Sequence, residues 1–206
     1  MSVSVTSLTR RIFVQSDFFH IHAHSEYSWL DGMGSVAEMV EVVEQLGQPA
    51  LALTDHGVMA GCLRLYKLCR KAGIEPYPGE EFYLVKSLND ETKTIRYHVG
   101  LLALTAKGYE GLVALSSRSH ERERFHKKLL IDLQDLIQFG FAYGEDVALT
   151  TGCYFGLPIQ TLHNEGMDEA MRVVQMYAHA FPNTFVELQH HAVHDDDHDD
   201  DEIVEQ

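Results

Sequence analysis

Cysteine is scarce in this chain, with only Cys62, Cys69 and Cys153 among 206 residues. Three scattered thiols cannot build a disulfide framework, which fits a reducing compartment, and a cytoplasmic location is expected. Long apolar runs are also missing. No stretch approaches the ~20 residues that cross a bilayer, and residues 1–17, which include Arg10 and Arg11, hold no apolar segment of signal-peptide length. No membrane partner is expected. Basic residues are few, 16 Lys and Arg against 31 Asp and Glu, for a net charge of −15. Spread evenly, that charge would repel nucleic acid. It is concentrated instead, because eight of the acidic residues fall between Asp195 and Glu205, a run of the kind that stays solvated.

What the chain does have suits one domain. Its length and 45% apolar content can supply a sizeable core. Cys62 and Cys69 lie seven apart on an expected helix and read as core thiols. Histidine is abundant at 13, and three of them alternate in Phe18-Phe19-His20-Ile21-His22-Ala23-His24-Ser25. Residues two apart in a strand share a face, so the imidazoles of His22 and His24 can reach one point, as metal ligation requires. Further His, Asp, Glu or Cys residues stand at or near strand ends: Asp55 and His56 after Ala50-Leu51-Ala52-Leu53-Thr54, Glu80 and Glu81 in Gly79-Glu80-Glu81-Phe82-Tyr83, His98 in Tyr97-His98-Val99-Gly100, and Cys153 after Ala148-Leu149-Thr150-Thr151-Gly152. In parallel α/β folds, ligands collect at the carboxyl ends of strands, so these residues are expected to converge on one site.

The helical pattern fits that frame. Ser35-Val36-Ala37-Glu38 is a capping box, followed by Val36, Met39, Val40 and Val43 at helical spacing and Gly47 as a stop. A second helix is expected from about Met59 to Ala72, closed by Gly73, and a third around 109–117. Met167, Ala170, Met171, Val174, Tyr177, Ala178 and Phe181 trace a stripe expected to face the core. Strand and helix alternating at these intervals imply crossover units and a parallel sheet.

The segments above, together with Ser25-Glu26-Tyr27-Ser28-Trp29-Leu30-Asp31-Gly32 and Phe185-Val186-Glu187-Leu188-Gln189-His190, resemble in order and spacing the polymerase and histidinol phosphatase (PHP) superfamily. The Leu-Thr-Asp-His-Gly turn and the Gly-x-Glu-x-Tyr strand favour its polymerase branch, the amino-terminal domain of bacterial replicative DNA polymerase III alpha subunits. The resemblance implies a distorted seven-stranded (β/α)7 barrel. It also implies a division into an extension at 1–17, a PHP domain at 18–193 that is truncated before its last strand or strands, and an acidic tail or the start of a further helix at 194–206. Family members carry an Asp-x-His pair on a later strand, and that pair is absent here.

Imidazoles, carboxylates and one thiol together suit zinc, manganese or iron, with magnesium as an alternative. By resemblance, up to three metals are implied. His22, His24 and Glu81 would hold one, Glu81, His98 and Cys153 a second that shares the carboxylate, and Asp31 with His56 a third. His22, His24, Glu81 and His98 would carry the catalysis, a metal-dependent phosphoester hydrolysis that in polymerase alpha subunits is a 3′–5′ exonuclease on a DNA 3′ end. His20, where PHP proteins often carry Asp, is read as structural or supporting, Asp55 as orienting a turn, and His190, His191, His194 and His198 as peripheral. The basic stretch Arg118, Arg122, Arg124, Lys127 and Lys128 reads as a helix end or loop, with Lys127 or Lys128 as candidate phosphate contacts. Two other readings stand beside the nuclease. One is a non-catalytic scaffold for the rest of a polymerase or for replisome subunits. The other is a small-molecule phosphatase of the histidinol-phosphatase type.

Overall fold

The computed structural model describes residues 18–89 and 95–189. The extension at 1–17, His190, His191 and the acidic tail at 194–206 lie outside these described residues. Helix α1 (Val36–Gln45) begins as the capping box requires. The Ser35 hydroxyl accepts the Glu38 N–H at 3.3 Å and the Glu38 carboxylate accepts the Ser35 N–H at 2.8 Å. Strand β1 (Ala50–Leu53) follows, then α2 (Cys62–Ala72), which ends at Gly73 with φ of 75°, where a residue without a Cβ is unstrained. Val36, Val40 and Val43 of α1 and Leu65 and Cys69 of α2 bury against Leu51 and Leu53.

Strand β2 (Glu75–Val85) organises the rest. Its first half pairs parallel with β1, and its second half pairs parallel with β5 (Lys128–Asp132), which forms a hairpin with β4 (Phe125–His126). On its other edge lies β3 (Tyr97–Ala103), antiparallel, followed in the sheet by β6 (Val147–Thr150), antiparallel, and β7 (Thr184–Phe185), parallel. Helices α3 (Ala106–Ser119), α4 (Leu133–Tyr143), α5 (Leu157–Glu165) and α6 (Met167–Ala180) complete the fold. Alternation along the strands sends Phe82, Leu84, Val99, Leu101, Val147 and Leu149 into the main core with Leu112, Leu136, Tyr177 and Phe181. The opposite face of β2 and β3 carries Glu81 and His98.

Two expectations are corrected. The sheet is mixed rather than parallel, because only residues 86–96 separate β2 from β3, short of the dozen or more that a parallel crossover needs. The seven strands also do not close into a barrel among the described residues, since the ordered path ends at β4 and at β7. The segment carrying His20 adds to β1 through a parallel bridge between His20 and Leu51. The long apolar stripe is rotated from its expected setting. Ala170, Tyr177 and Ala180 are buried and Val173 and Met176 pack on the core, while Met167 and Met171 are exposed. Cys62 and Cys69 are buried, as the helical spacing implies. No helix of the described residues is long and apolar enough to cross a membrane.

Candidate metal centre

Asp55, two residues past β1, builds the loop that frames the site. Its buried carboxylate accepts the Ser25 N–H at 2.7 Å and the hydroxyls of Ser25 and Ser28 at 2.8 Å each. The Ser28 hydroxyl in turn accepts the His56 N–H at 3.0 Å, and the Ser28 carbonyl accepts the N–H groups of Asp31 and Gly32. Gly32 sits so close to the Ser25 carbonyl that a Cβ would lie 2.0 Å from that oxygen, so the turn admits only glycine. These contacts fix His24, Asp31 and His56 relative to one another.

At the centre lies Glu81, 1% exposed, with four imidazoles around one carboxylate. Oε1 is 3.4 Å from His22 Nε2 and 3.3 Å from His98 Nδ1, and Oε2 is 3.5 Å from His24 Nε2 and 2.9 Å from His56 Nδ1. Asp31 Oδ2 lies 3.0 Å from His56 Nε2, and the Cys153 sulfur lies 3.4 Å from His98 Nδ1. The rings of His24 and His56 stack at 4.3 Å. Three groups have donor atoms within 4.8 Å of one another: His22 with His24 and Glu81, His24 with Asp31 and His56, and His56 with Glu81 and His98. All seven expected metal residues, His22, His24, Asp31, His56, Glu81, His98 and Cys153, are thus brought to one place. The grouping differs in detail, because His56 rather than Cys153 completes the cluster around His98.

Both oxygens of Glu81 and Nδ1 of His56 are buried without a well-formed hydrogen bond. Buried polar atoms are nearly always satisfied, and a divalent cation would satisfy these together. The donor set of imidazoles and carboxylates fits such an ion.

The field within the cluster is uneven. Burial pushes the Glu81 carboxyl upward, but His22, His56 and His98 outweigh it and hold the group far below the usual carboxylate range. Burial lowers His22, yet Glu187 and Glu81 raise it to about 10. His24 is lowered by burial and by the cationic form of His56, while His56 is raised because Glu81 and Asp31 overcome its burial. Burial and the Glu81 charge push the Cys153 thiol up to about 11.

Sequence reasoning assigned no role to Glu187, although it stands just past a strand end, as His56 and Cys153 do. Its Oε1 lies 2.7 Å from His22 Nδ1, and its N–H donates to the Thr151 hydroxyl at 3.0 Å. Glu80, beside Glu81, points to the other face, is fully buried, and is pushed up to about 8 by burial. His20 is exposed and edge-on to Phe18 rather than at the cluster. Within the basic stretch, Arg118 and Arg124 pair with the buried Asp135. Lys127, with φ of 59°, turns the β4–β5 hairpin. Lys128 reaches the Tyr83 hydroxyl at 3.0 Å and lies 4.8 Å above that ring, which itself stacks on His56 at 5.6 Å.

The three histidine–carboxylate groups could hold metal ions, and the chain belongs to the PHP domain family, whose model matches residues 20–191. It is 33% identical over 189 residues to the DNA polymerase III subunit alpha of Borreliella burgdorferi, covering 89% of this chain and 16% of that protein. It is 35% identical over 185 residues to the subunit of the same name from Treponema pallidum, covering 85% of this chain and 15% of that one. The chain therefore spans about one sixth of the length of these curated relatives. A solved amidohydrolase structure from Chromobacterium violaceum aligns with a TM-score of 0.38 and 17% identity over 76% of this chain and 54% of that one, too distant to bear on function.

Proposed function

We propose that this chain is a metal-dependent phosphoesterase domain of DNA polymerase III alpha type, acting as a 3′–5′ exonuclease on DNA ends. The observation that carries the reading is Glu81, a buried carboxylate whose two oxygens each face two imidazoles. His22, His24 and Glu81 would hold one metal. Glu81 and His98, with Cys153 or His56, would hold a second, and Asp31 and His56, with His24, a third. Zinc, manganese or iron suits these donors, with magnesium as an alternative. Such ions, when bound, lower the pKa of water toward neutrality and clamp phosphate oxygens.

The chain's own residues supply the rest. Glu81 places negative charge among the four imidazoles and would favour cations there, and Asp55 with Ser28 fixes the loop that aims Asp31. Lys128, exposed on the Tyr83 ring, would meet a phosphate approaching His56 and His98, with Lys127 beside it at the hairpin tip. The partners this reading implies are a DNA 3′ end, the remainder of a polymerase alpha subunit and other replisome subunits, in the cytoplasm.

The test compares a 3′-labelled oligonucleotide with a histidinol-phosphate-like ester, each with and without chelator. Chelator-sensitive loss of 3′ nucleotides, faster than hydrolysis of the small ester, is expected. Faster turnover of the small ester would assign a small-molecule phosphatase, and no turnover of either by the metal-loaded chain would assign a scaffold.

A further inference from the structure

We infer that Tyr154 and Phe155 form a stacking shelf for the terminal base of a single-stranded DNA 3′ end. This rests on the nuclease reading and adds to it a site that selects for a base. The two residues follow Cys153 in the turn between β6 and α5, and they remain 51% and 41% exposed. Their exposure is not that of a loose loop. The His98 N–H donates to the Phe155 carbonyl at 3.1 Å, the Gly156 N–H to the Cys153 carbonyl at 2.8 Å, and Gln160 Nε2 to the Tyr154 carbonyl at 3.0 Å. The backbone is thereby tied to β3 and to α5, and the rings are presented in fixed positions.

Phe155 lies against the site itself, its ring centroid 5.6 Å from that of His98. Tyr154 stands at 83° to Phe155 with 5.5 Å between centroids, and it is backed by His163 at 5.5 Å. On the other flank of His98 is Tyr83, 5.3 Å away, with the Lys128 ammonium over its ring. An aromatic shelf on one side of His98 and a cation on the other match the two halves of a nucleotide, a flat base and an anionic phosphate. Aromatic rings beside a positive groove are the means by which proteins hold single strands without reading sequence. A protein lying permanently on Phe155 would block His98.

The experiment uses the full chain with manganese and two short single strands, identical except that one ends in thymidine and the other in an abasic residue. Binding is followed by fluorescence anisotropy and cleavage is measured separately. Wild type is expected to bind the base-bearing end about tenfold or more tightly, the scale of one base–aromatic stack. Phe155→Leu, and to a smaller extent Tyr154→Leu, should bring the thymidine end down to the abasic one while leaving abasic binding in place. Equal binding of the two strands by wild type overturns the inference, and that comparison needs no variant. A preference that survives both substitutions overturns it as well. Base-dependent binding without any cleavage would remove the nuclease reading and leave the shelf standing.

Discussion

His22 Nδ1 and Glu187 Oε1 lie 2.7 Å apart across 165 residues of sequence, and this contact ties the first described segment to the last. A carboxylate on Nδ1 fixes the ring and leaves Nε2, which faces Glu81, available to a metal on the proposed reading. Glu187→Gln should therefore weaken metal binding by about 10- to 100-fold with little change in secondary structure. Calorimetric titration with manganese or zinc, beside circular dichroism, checks this. Unchanged affinity would show that the contact does not act on the metal.

Removing ligands should cost more than removing a supporting carboxylate. The double substitution His22→Ala and His24→Ala takes away two of the four imidazoles around Glu81 and should strip metal from the purified chain beyond the roughly 100-fold of the supporting contact. Elemental analysis reads the result directly, and full metal content in that variant would move the site elsewhere.

The metal-free chain should have a stability optimum in mildly acidic solution. His22 is raised from 6.5 to about 10, so its contribution is complete below 6.5 and is lost as the pH climbs toward 10. Glu81 is depressed from 4.5, so its contribution is present above 4.5 and is lost on acidification. Melting temperature of the chelated chain should peak between these limits. Metal affinity should run the other way and rise with pH through neutrality, because the ion must displace protons from the imidazoles. A chelated chain that grows steadily more stable from pH 6 to pH 9 would contradict the assigned charges.

Glu80 adds a separate liability as the pH rises. Its pKa stands at about 8 against an ordinary 4.5, so its contribution is complete below 4.5 and is lost progressively as the pH climbs to 8. Glu80→Gln should therefore become increasingly more stable than wild type through that window, by at most about 1.4 kcal/mol per pH unit, with no further divergence above pH 8. Parallel melts of the two proteins from pH 4.5 to pH 9.5 give the answer.

The local signals were plain in the sequence because they depend on near neighbours. The Ser35 capping box, the Gly73 stop and the alternation of His22 and His24 each need only a few residues to specify a backbone shape, and all are present as the pattern implies. The seven candidate positions were legible through the order of their motifs, whereas the strand-end argument holds only in part: His56 and Cys153 follow β1 and β6, but Glu81 lies inside β2 and Asp31 in a loop. Tertiary structure decided the rest. The short link between β2 and β3 made the sheet mixed, and the exact facing of α6 depended on which side of that sheet it met. Glu187 gained its role from a partner 165 residues away, which no local pattern encodes. Likewise His56, rather than Cys153, closed the cluster with His98, because the hydrogen bonds His56 N–H to Ser28 and Ser28 hydroxyl to Asp55 set the loop in three dimensions. Sequence periodicity determines which way a side chain points from its own strand, and only the packing of strands against one another determines what it meets there.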